Sequence, residues 1–137
     1  MSTIQMSLRL GGILPPQDKL TQILGIAPTK ARRRGERISS KRLQPADIWI
    51  LDLAKFDTDS TPQEIDKHML QSAVIIQQLA PSLAALDRTK CNTDLYVSTV
   101  REEDQGGLSF SPELVAAAAA AKLSIQISIL VMLDDYD

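Results

Sequence analysis

A chain of 137 residues is long enough for one ordinary domain with a buried core. Apolar residues make up 44% and charged residues 23%, a globular balance that excludes disorder as the default. The net charge of −2 gives no general attraction to nucleic acid or anionic membrane, and 4% aromatics leave few rings on which bases could stack.

Only one cysteine is present, Cys91, so no internal disulfide can form and a reducing cytosol suits the chain. Met1-Ser2-Thr3-Ile4-Gln5 lacks the basic region and apolar core of a signal peptide, and a cytoplasmic location is expected. The apolar stretch from Leu114 to Leu133 is interrupted by Lys122, Ser124, Gln126 and Ser128, so no membrane-spanning helix and no membrane partner are expected.

Ile4, Met6, Leu8 and Leu10 alternate with polar residues, which predicts a strand with one buried face, ended by Gly11-Gly12. Pro15-Pro16 suits the first turn of a short helix carrying Leu20, Ile23 and Leu24 on one side. Gly25 stands where a left-handed residue closes a helix, with Ile26 placed to fold back onto Leu20, and Pro28 stops the helix resuming. Residues 27–46 show no clear period, which is long for a structureless connection; they carry function or conceal a hairpin turning near Gly35. Asp47 to Leu53 predicts a central strand, with Trp49, Leu51 and Leu53 on one face, Ile48 and Ile50 on the other, and both faces covered.

Thr61-Pro62-Gln63-Glu64 is a capping box with proline at the first helical position. The apolar spacing that follows, from Ile65 through Ile76 to Leu83, predicts the longest amphipathic helix, broken or kinked at Pro81. Asp94 to Val100 reads as a strand, residues 101–107 as a hairpin loop, and Leu108-Ser109-Phe110 as the returning strand. Ser111-Pro112-Glu113 opens a third helix running through alanines. Leu123, Ile125, Ile127, Ile129 and Val131 alternate as a last strand, with the three isoleucines expected in the core. The order is βαβαββαβ in a single domain over residues 1–137: an α+β two-layer sandwich, a mainly antiparallel sheet with helices on one face, ferredoxin-like from residue 47 onward.

Charge is not spread evenly along this chain. Lys30, Arg32, Arg33, Arg34, Arg37, Lys41 and Arg42 face one acid, Glu36, so residues 30–42 carry +6 and the rest of the chain −8.

Several of these residues resemble a known family. Leu24-Gly25-Ile26-x-Pro28-Thr29, a basic run ending in Gly35, Trp49 on a strand, and Gly106-Gly107-Leu108-x-Phe110-Ser111-Pro112-Glu113-Leu114 are similar, in order and over nearly the whole chain, to the domain-of-unknown-function family 4279. Glu36-Arg37 departs from the Asp-Pro that commonly follows the glycine in that family. The resemblance implies a small bacterial α+β domain and brings no activity with it.

Guanidinium groups in a loop make bidentate bonds to phosphate or carboxylate, so the basic segment is the candidate binding site. The competing reading is a solvated loop drawn to Glu102, Glu103, Asp104 or the acidic tail 134–137. His68, at i+4 from Glu64, reads as a solvated surface pair, and Cys91 as an idle thiol despite Arg88 and Lys90 nearby. With one histidine and one cysteine, a zinc site of nitrogen and sulfur ligands cannot be assembled within one chain. Gly106-Gly107 lacks a phosphate-loop pattern, the acids lack calcium-loop spacing, and no Ser-His-Asp set stands out. No cofactor and no enzymatic activity are expected. The expectation is a protein-interaction domain, regulatory or of immunity type, that contacts another protein through residues 30–42 and Trp49. The alternative is phosphate, nucleotide or RNA binding through the same arginines. A second copy pairing through the first or the last strand is compatible with either.

Overall fold

The computed structural model describes residues 2–102 and 106–132. Strand β1 (Thr3–Gly12) is the middle of a five-stranded sheet. Its alternation gives it one fully apolar face: Met6, Leu8 and Leu10 are wholly buried and Ile4 nearly so. β5 (Asp47–Asp57) and β6 (Cys91–Arg101) flank β1, both antiparallel to it. β2 (Lys30–Arg32) extends the sheet beyond β5, and β7 (Ser124–Val131) lies parallel to β6, giving the order β2-β5-β1-β6-β7. The segment between β2 and β5 folds into a separate two-stranded ribbon, β3 (Arg37–Ser39) and β4 (Arg42–Leu43).

The helices α1 (Gln17–Leu24), α2 (Pro62–Ala84) and α3 (Pro112–Ala120) share one apolar cluster with the Met6–Leu10 face of β1. Trp49 and Leu51 from β5, Leu95 and Val97 from β6, and Met69, Ala73, Ile76 and Leu83 from α2 complete its centre. The domain is thus a mixed α+β fold with a mainly antiparallel sheet and three helices.

Several expectations hold in detail. Gly25 adopts φ +74° and its N–H donates to Thr21 O at 2.7 Å, closing α1. Thr61 Oγ1 accepts from the Glu64 amide at 3.2 Å and Ser111 Oγ from the Leu114 amide at 3.2 Å, each just before a proline at the helix start.

Others need correction. Leu108–Phe110 forms no strand; Leu108 and Phe110 anchor an extended connection onto the core instead, and Ser111 N–H reaches Met69 Sδ at 3.2 Å. Without that strand the element order is not βαβαββαβ, and α3 joins two parallel neighbours rather than closing a ferredoxin-like unit. Pro81 sits inside an unbroken α2. It and Gln77, whose carbonyl loses its partner, are both exposed, so water can take the orphaned bond.

β5 runs past Leu53 because a bulge opposite Met6/Ser7 leaves Leu53 as an extra residue, after which Phe56 rather than an odd-numbered residue faces the core. Its second face, with Ile48 and Ile50, is half-buried and has no helices over it. The last strand departs most. Ile125, Ile127 and Ile129 are 41, 46 and 64% exposed, because β7 is the outermost strand and α3 covers little of it. The first strand, being central, offers no edge.

Gly25→Val should destabilise the domain by about 1 kcal/mol or more in chemical denaturation, purely through the left-handed backbone, because a Cβ there would meet nothing within 4 Å. Thr61→Ala should cost about 0.5–2 kcal/mol by removing the cap acceptor. Equal melting of the wild type and Thr61→Ala would show that the cap contributes nothing.

Candidate partner-binding surface

The basic segment is organised by a carboxylate that carries none of its charge. Asp47, the first residue of β5, is buried, and its Oδ1 accepts the Arg34 amide at 2.8 Å while Oδ2 accepts the Leu14 amide at 2.9 Å. The Arg33 guanidinium stands 3.5 Å from Oδ2. Arg33 Nη1 donates to Pro15 O at 2.9 Å and Nη2 to Leu14 O at 3.4 Å. One ion pair therefore ties together the corner after β1, the turn after β2 and the start of β5. Burial works to raise the Asp47 pKa, but the two amides and then the Arg33 and Arg34 charges outweigh it and hold the carboxyl below its ordinary value.

From this pin the chain enters the ribbon through a tight turn. Arg33 N–H donates to Glu36 Oε1 at 2.9 Å, Gly35 (φ +88°) donates to Gln44 O at 2.9 Å, and Gln44 N–H donates to Glu36 O at 2.7 Å. The hairpin itself turns at Ser40-Lys41, five residues beyond the glycine expected to mark it. Arg37 Nη1 donates to Ser40 O at 3.3 Å across that turn.

The seven cations thus separate by environment. Lys30, Arg34, Arg37, Lys41 and Arg42 are exposed, and none is in ion-pairing distance of a carboxylate among the described residues. Arg32 is half-buried on β2, opposite Ile48, and Arg33 is the clamp. Trp49 is not at the surface at all: it is 1% exposed, in the core under β5, and it leaves the candidate site. Its alternation partner Leu51 lies on the same inward face of the strand.

Two residues belong to the surface that the sequence did not single out. Ile38 and Leu43 are 37 and 56% exposed on the ribbon, beside Arg37 and Arg42. The signal available was two large apolar residues inside a polar, aperiodic stretch. Of the acids that could neutralise the loop, Glu103, Asp104 and residues 134–137 lie outside the described residues.

His68, Cys91 and Gly107 take structural roles. The His68 ring stacks on Phe56, with centroids 5.0 Å apart and planes at 12°, rather than standing as a solvated pair. Cys91 is buried, with Sγ 3.4 Å from Asp87 O. Gly107 O accepts from Arg101 Nη2 at 2.8 Å. Among the described residues no three His, Cys, Asp or Glu side chains gather as a metal site, and no helix is long and apolar enough to cross a membrane.

Comparison with protein families settles what kind of chain this is. Residues 2–132 match the family described as a domain of unknown function, DUF4279. The chain belongs to that family. No curated protein and no solved structure matches it. Membership of DUF4279 carries no activity, so a functional reading rests on the surface just described.

Because the folded Asp47 has a depressed pKa, its stabilisation is complete above the ordinary carboxyl value of 3.8 and disappears as pH falls through the lower folded value. Asp47→Ala leaves the buried Leu14 amide and the half-buried Arg34 amide without their acceptor and removes the Arg33 ion pair, and should cost about 2–4 kcal/mol near neutral pH. The variant's stability should also fall less steeply in acid than that of the wild type. Parallel acid profiles for the two proteins would show that this carboxylate is not the titrating link.

Proposed function

We propose that this chain is a non-enzymatic interaction domain of the cytoplasm that docks an acidic protein surface with its β3–β4 ribbon. One observation carries the reading: exposed Ile38 and Leu43 stand among the exposed cations Arg34, Arg37, Lys41 and Arg42. Apolar anchors ringed by charge are the composition of a protein interface, where the charges guide approach and the anchors hold. The ribbon is also preorganised, because the Arg33–Asp47 clamp fixes its base, and less ordering entropy is lost on docking.

Phosphate or RNA binding through the same loop is the second reading, supported by the same exposed cations. It is favoured less because phosphate recognition has no use for the two apolar side chains, and because the ring of Tyr96 on the open sheet face is already covered by Arg9, 4.3 Å from its centroid.

The two readings separate in one set of variants. Arg37→Glu, Lys41→Glu and Arg42→Glu combined should leave the melting temperature unchanged or slightly raised, since exposed like charges repel and none of the three belongs to the Asp47 clamp. The same protein should no longer capture its partner from a lysate of the native cell. Ile38→Ser with Leu43→Ser should also abolish capture, while leaving the charges in place. Binding that persists in the apolar double variant, falls steeply with salt and brings down material absorbing at 260 nm would overturn the protein reading in favour of nucleic acid.

A further inference from the structure

The two edges of the main sheet are built differently. At one end β2 is three residues long and bears Lys30 and Arg32, the short charged form that keeps an edge from pairing. At the other end β7 spans eight residues with no charge, proline or glycine. No strand among the described residues pairs with its outer side.

Every β7 residue is exposed, and Ile125, Ile127, Ile129, Leu130, Val131 and Met132 are each between 41 and 64% exposed. Together they present on the order of 500 Å² of apolar surface, at the upper end of what a monomer carries. α3 packs beside this strand, and its exposed Val115, Ala116, Ala119 and Ala120 add no charge. With these and the strand's own backbone the surface approaches the ~800 Å² per partner of a standard interface.

The backbone of β7 says how that edge can be filled. Met132 N–H donates inward to Arg101 O at 2.6 Å. By the alternation of a strand, even-numbered residues bond toward β6, and Ile125, Ile127, Ile129 and Val131 turn their N–H and C=O outward. The same four residues carry their side chains on the helix-covered face, opposite Leu95, Val97, Thr99 and Arg101 of β6.

We propose that two copies of this chain pair their β7 strands antiparallel about a two-fold axis, joining both sheets into one. The sequence of the strand is self-complementary in that arrangement. Ile125-Gln126-Ile127-Ser128-Ile129 reads apolar-polar-apolar-polar-apolar in both directions. A register centred on Ile127 places Ile125 opposite the partner copy's Ile129 and Gln126 opposite its Ser128, so isoleucine rows meet and the polar face is hydrogen-bonded. The outward N–H and C=O groups of the odd residues meet their equals. An isologous interface requires this match of a segment with its own reverse, and a strand without charges puts no like-charge pair across the axis.

The test is the mass in solution, by sedimentation or light scattering across the micromolar range. The wild type should approach twice 15.0 kDa as concentration rises. Ile127→Pro removes an N–H that points outward and leaves the bonds to β6 in place, so it should hold the chain at monomer mass with its far-UV circular dichroism intact. Ile129→Lys, at the most exposed isoleucine of the row, should do the same by putting charge on the edge, and it reads out the interface if the proline variant misfolds. The Arg37, Lys41 and Arg42 reversals should leave the dimer mass unchanged, so failure of the ribbon reading would not disturb this one. A wild type that stays monomeric at every concentration, or a dimer that survives both β7 substitutions, overturns the proposal.

Discussion

Everything unusual about this domain depends on a buried carboxylate at the start of β5. Taking Asp47 out of water is unfavourable unless its lone pairs are filled, and they are filled by the amides of Leu14 and Arg34 and by the charge of Arg33. With Asp47 itself, those partners join three places far apart in the chain. The interaction therefore fixes where β1 turns away, where β2 ends and where β5 begins. A two-stranded ribbon alone in water is marginal. The β3–β4 ribbon stands clear of the sheet because both its strands leave from this pin, through Arg34 on one side and Gln44 on the other.

The clamp also divides the arginine run. Three consecutive arginines look equivalent in the sequence, yet Arg33 turns back to Pro15 O, Leu14 O and Asp47, while Arg34 gives Asp47 its amide and the field of its charge and leaves its side chain exposed. The end of β2 makes the division: Arg33 lies just past the strand and Arg34 already in the turn with Gly35, so the two neighbours do not share one environment. Reversing all three charges at once would mix a broken clamp with a lost surface and could not separate the two. Arg37, Lys41 and Arg42 are exposed and take no part in the clamp, so their loss tests the surface without disturbing it.

How much of this was legible follows from which physical signals are local. The β1 alternation, the Thr61 and Ser111 caps and the Gly25 closure depend on residues a few positions apart, and each was readable in order. The family resemblance was readable too, across residues 2–132. Position within the sheet was not. Ile125, Ile127 and Ile129 alternate as cleanly as Ile4, Met6 and Leu8, but alternation reports which face a side chain takes, not whether a neighbour covers it. Leu108 and Phe110 alternate because an extended connector also needs anchoring, and Trp49, expected at the contact surface, lies in the core on the face its own strand gives it. The Asp47 clamp left no trace, since its partners are joined only by the fold.

The two unsatisfied surfaces stand at opposite ends of the sheet, and that separation governs how they would act together. The ribbon lies between β2 and β5 in the chain, so it emerges at the β2 end, and β7 forms the other end. Pairing through β7 leaves the ribbon of each copy untouched and sends the two to the far ends of a doubled sheet, roughly 45 Å apart at the ~4.8 Å spacing of neighbouring strands. A single acidic site on a partner would meet only one ribbon. A partner with acidic sites repeated at that separation, or one that is itself two-fold symmetric, would meet both, and its second contact would form at the high effective concentration set by the rigid sheet between them. On that proposal the modest grip expected of one small ribbon would suffice, because the sheet, not the ribbon, would supply the selectivity for a spaced pair.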